Sequence, residues 1–68
     1  MPTLKSLLAD ERHAIDQYGK AGPAFRKQGN TRAARLMSHI RGEEQEHARE
    51  LQGEMKRGSV SNIGRKAA

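Results

Sequence analysis

The chain contains no cysteine and no tryptophan, and its only aromatic residues are Tyr18 and Phe25. Without cysteine there is no disulfide framework and no thiolate metal site. Two aromatics leave little on which nucleic-acid bases can stack. No apolar run approaches the roughly 18 residues of a membrane-spanning helix. The N-terminal stretch Met1-Pro2-Thr3-Leu4-Lys5 lacks the apolar core of a secretion signal. The expectation is a soluble, cytoplasmic protein with no membrane attachment. Acidic residues are also missing locally. From Lys20 to Arg41 there are six basic residues and no carboxylate, whereas five of the eight acids lie between Glu43 and Glu54. At 68 residues, with a net charge of +5, the chain sits near the lower limit for a self-sufficient core. A core of this size contributes only about 3–5 kcal/mol, so oligomerisation or a metal is the natural supplement.

What is present is helical. Thr3 is placed to cap a first helix. Leu4, Leu7, Leu8, Ile15, Tyr18 and Phe25 then recur at the spacing of one apolar stripe. Gly22-Pro23 predicts a kink or a true break, because proline removes a helix hydrogen bond and clashes with the carbonyl four residues earlier. Gly29 is a C-terminal stop, and Asn30 or Thr31 caps a second helix that Gly58 ends. The fold class is all-α: an antiparallel two-helix hairpin over about 4–28 and about 31–57. Residues 58–68 read as a flexible C-terminal tail rich in glycine, serine and lysine.

Polar residues interrupt both stripes. In the second helix Ala33, Ile40, Leu51 and Met55 share a face with Glu44 and His47, which are three residues apart and therefore neighbours. In the first helix Glu11 falls between Leu8 and Ile15. A hairpin folded at Gly29 brings Glu11 opposite His47, since each lies eighteen residues from the turn. Glu44 lies one turn away. A glutamate pair with an imidazole suits iron or manganese, and Glu11, Glu44 and His47 are the candidate metal ligands and catalytic residues. Tyr18, two turns from Glu11, is placed to hydrogen-bond a ligand carboxylate. Glu43, with Glu46 and Glu50, forms an acidic face able to guide cations inward.

One hairpin supplies three ligands and leaves its apolar stripe uncovered. Two hairpins packed face to face form a four-helix bundle and bury both stripes. A twofold axis then presents four glutamates and two histidines, the ligand set of the di-iron carboxylate bundles. The expectation is a homodimer, or a higher even-numbered oligomer, holding two irons per dimer.

Ala9 to Tyr18 resembles the first metal-binding helix of the rubrerythrins, in which the ligand glutamate is followed seven residues later by tyrosine, as Glu11 is by Tyr18. Ile40 to Leu51, containing Glu44-Gln45-Glu46-His47-Ala48, resembles the second. The chain thus resembles the ferritin-like di-iron carboxylate superfamily over most of its length. It lacks the cysteine-rich domain and the second helix pair of rubrerythrin, and in this it is most similar to the two-helix encapsulated ferritins. That resemblance implies a ferroxidase-type or dioxygen- or peroxide-reducing activity, with Glu44 bridging two irons. It also implies docking of the C-terminal segment, Gly58 to Gly64, to a protein shell. The alternative is a non-enzymatic helical dimer that binds nucleic acid or an acidic partner through its basic turn end.

Overall fold

The computed structural model describes the backbone of residues 2–67 and the side chains of residues 2–57. Two helices form the fold: α1 (Leu4–Lys27) and α2 (Thr31–Ala67). Thr3 opens α1 with a reciprocal pair of bonds. The Ser6 amide donates to Thr3 Oγ1 at 3.0 Å, and the Thr3 amide donates to Ser6 Oγ at 2.9 Å. Two amides that the first turn would leave unpaired are thereby satisfied.

Of the two outcomes expected at Gly22-Pro23, the break does not occur: α1 is one helix with Pro23 inside it. A single proline costs a helix interior about 3 kcal/mol relative to alanine, which packing against α2 offsets. Part of that packing is specific. Arg41 of α2 donates from Nε to the Ile15 carbonyl at 3.2 Å. Its guanidinium lies against Gly19, where a Cβ would come within 2.9 Å of Nε. The absent side chain at position 19 makes room for a tie between the helices just before the proline.

The turn closes as a Schellman motif. The Asn30 amide reaches the Phe25 carbonyl at 2.9 Å and the Gly29 amide reaches Arg26 at 3.0 Å. Gly29 adopts φ 77°, the left-handed region that disfavours a Cβ. Asn30 then caps α2, its Oδ1 accepting from the Ala33 amide at 3.0 Å. Nothing crowds a Cβ at Gly29, so Gly29→Ala tests the backbone alone. It is expected to lower stability by about 1 kcal/mol, read as the shift of a urea unfolding midpoint.

Beyond Arg57 the backbone of α2 continues to Ala67 rather than stopping at Gly58. One interior glycine costs a helix about 1 kcal/mol, which does not by itself end it. The expectations of a flexible tail over 58–68, and of a docking role for it, concern residues whose side chains lie outside the described set.

The helices meet along small residues. Leu8, Gly22, Ala34 and Ala48 are buried, and a Cβ at Gly22 would touch the Ala34 carbonyl and Met37 at 3.8 Å. Among the described residues this narrow seam is all that is buried. Ile15, Ile40, Leu51 and Met55 are half-buried, and Leu4, Leu7 and Leu36 are exposed. The apolar face expected from the helical periodicity is present and largely uncovered.

Candidate metal centre

Glu11 projects from the middle of α1, and Glu44 and His47 project one turn apart from α2. The hairpin brings them together. His47 Nδ1 lies 3.4 Å from Glu44 Oε1 and 3.9 Å from Glu11 Oε2. One ligand atom from each residue can be chosen so that all three lie within 4.8 Å of one another. The side chains of Glu11 and Glu44 are 24% and 22% exposed, whereas that of His47 is 53% exposed. The carboxylates are therefore the more sheltered members of the triad and the imidazole the more exposed one.

The electrostatics are unfavourable without a cation. Glu11 Oε2 is buried and has no hydrogen-bond partner, a state that ordinarily costs about 1–3 kcal/mol. The neighbouring Glu44 carboxyl, by sharing a proton, raises the Glu11 pKa, and burial raises it further. His47 opposes both. Two carboxyls this close favour holding one proton between them. A folded pKa raised above the ordinary value of 4.5 contributes stability below that value and loses it as pH rises through the folded pKa. The stability of the metal-free protein relative to Glu11→Gln is therefore expected to fall as pH rises from about 4.5 toward neutrality, measured by thermal unfolding of both proteins across that range.

The other residues singled out from the sequence lie farther off. Tyr18 is half-buried and lines a separate hollow with Gly19, Pro23, Ser38 and Arg41. Among the described residues its hydroxyl makes no hydrogen bond to Glu11 or Glu44. Glu43 is exposed and faces His39 at 3.8 Å. Glu46 pairs with Arg49 at 3.6 Å. Glu50, by contrast, lines the groove outside the triad together with Leu7, Glu11, His47 and Leu51. The tie from Arg41 to Ile15 was not anticipated. A signal for it exists, because Gly19 and Arg41 lie nearly equally far from Gly29.

Comparison with protein-family models, with curated proteins and with solved structures returns no match. The functional reading therefore rests on the chain's own chemistry.

Proposed function

We propose that the protein is a di-iron protein whose site is shared between two copies of the hairpin, with ferroxidase-type or dioxygen- or peroxide-reducing activity. The observation that carries this reading is the convergence of Glu11, Glu44 and His47 around a buried carboxylate oxygen, Glu11 Oε2, that finds no hydrogen-bond donor among the described residues. Hard oxygen donors with one imidazole fit ferrous iron, and manganese by the same chemistry. Glu11 and Glu44 would hold the ion as carboxylates and balance its charge, so binding would compete with any proton held between them. His47 turns Nδ1 toward the two carboxylates, and this is the ring nitrogen that would hold the ion. When bound, ferrous iron would supply one electron per ion for the reduction of dioxygen or peroxide, and would itself become ferric.

Three protein ligands from one hairpin are too few to enclose two ions. Leu7, which lines the triad groove, is exposed, and the exposed Leu4 lies about one turn before it on α1. A second hairpin laid on this face covers the leucines and completes the donor set, giving a ferritin-like four-helix bundle. Glu50, at the mouth of the groove, is placed to draw cations toward it.

Anaerobic titration with ferrous iron, followed by admission of air, tests the reading. Saturation at two ions per dimer and an absorbance band that grows on oxidation support it. Absence of ferrous binding, or binding that does not change when Glu44 or His47 is replaced by alanine, refutes it.

A further inference from the structure

A second groove between the helices shares no residue with the triad groove. It measures about 660 Å³. Its floor contains Leu8 and Met55. Its rim carries Lys5 and Arg12 from α1 and Arg49 and Lys56 from α2, and no carboxylate lines it. Arg49 faces Glu46 at 3.6 Å, outside the groove. Lys5, Arg12 and Lys56 have no carboxylate partner among the described residues.

The cations are regularly placed. On each helix the pair is seven residues apart, which is two turns, or about 10 Å. An apolar seam flanked on both sides by like charges at heptad spacing is one half of a coiled-coil interface. Charge complementarity specifies the other half: an apolar stripe with carboxylates flanking it at the same interval. A single-headed anion would engage one end of the groove and leave the other cations unmatched.

We infer that this groove receives an acidic amphipathic helix from a partner protein, laid along α1 and α2 as a third strand of the bundle. The groove contains none of the proposed metal ligands, so its occupancy and the metal content are separately measurable.

A fluorescent leucine-seamed heptad peptide with glutamate at the flanking positions is the probe, with the same peptide carrying lysine there as its counterpart. The acidic peptide is expected to bind saturably to the full chain, about tenfold or more tighter than the basic one, and to weaken with added salt. Arg12→Glu combined with Lys56→Glu is expected to invert that preference. Lys27→Glu, at the far end of α1, leaves it unchanged. Circular dichroism of each variant verifies that helix content is retained.

Equal binding of the two peptides, no saturable binding of the acidic one, or indifference to the double reversal would overturn the inference. So would displacement of the peptide by micromolar dodecanoate, which would assign the groove to a single-headed amphiphile. Self-association of the chain that the double reversal abolishes would instead assign it to a second copy.

Discussion

Replacement of His47 by alanine is expected to weaken ferrous binding by at least about 100-fold. Loss of a residue that merely supports a metal ligand costs about 10–100-fold, and His47 is the one nitrogen donor of the triad. Glu44→Ala is expected to be at least as severe, because Glu44 is coupled to both other ligands: it neighbours His47 at 3.4 Å and its carboxyl raises the Glu11 pKa. Glu11→Gln separates binding from folding. It keeps the shape, removes the crowded charge and is expected to stabilise the metal-free protein by about 1 kcal/mol while abolishing metal binding. Glu43→Ala is the contrasting case. Glu43 faces His39 on the surface, so its loss is expected to slow metal uptake at low salt and leave the equilibrium affinity within about threefold. Isothermal titration under anaerobic conditions reads all four. A drop confined to Glu43→Ala would place the ions elsewhere.

Ferrous iron is expected to stabilise the fold strongly and to do so together with dimerisation. Among the described residues the metal-free hairpin buries only Leu8, Ala34 and Ala48 as apolar side chains, so that core is small. A ligand at a hundred times its dissociation constant adds about 2.7 kcal/mol. For a domain this short, that corresponds to a rise of about 10 °C or more in melting temperature. If the site is shared, the gain also depends on chain concentration, because the ion is held by two copies at once. Melting curves over a hundredfold range of protein concentration, with iron and with a chelator, separate the two contributions. A melting temperature that rises with iron equally at every concentration would contradict the shared site.

The hairpin was legible because its signals are local. Thr3, Gly29 and Asn30 each satisfy specific backbone groups at helix ends, and they do so in the structure as their chemistry requires. The triad was legible because a tight turn fixes which residues of two antiparallel helices face one another. Glu11 and His47, equidistant from Gly29, meet as that count requires. What proved less legible depends on packing. Whether Pro23 breaks α1 turns on the support α2 gives it, and the bond from Arg41 to Ile15 is part of that support. The end of α2 was misplaced at Gly58 because glycine at a helix end is strongly preferred yet glycine inside one is only moderately costly. The cation-rimmed groove escaped notice because its four charges come from two distant segments and become one feature only when the helices pair.

Native mass spectrometry of the iron-loaded protein tests the shared site most directly. The expected particle contains two chains and two irons, and His47→Ala removes the irons from it. A single chain that retains a stoichiometric iron, or a dimer whose iron content is unaffected by His47→Ala, would show that Glu11, Glu44 and His47 do not form half of a centre completed by a second copy.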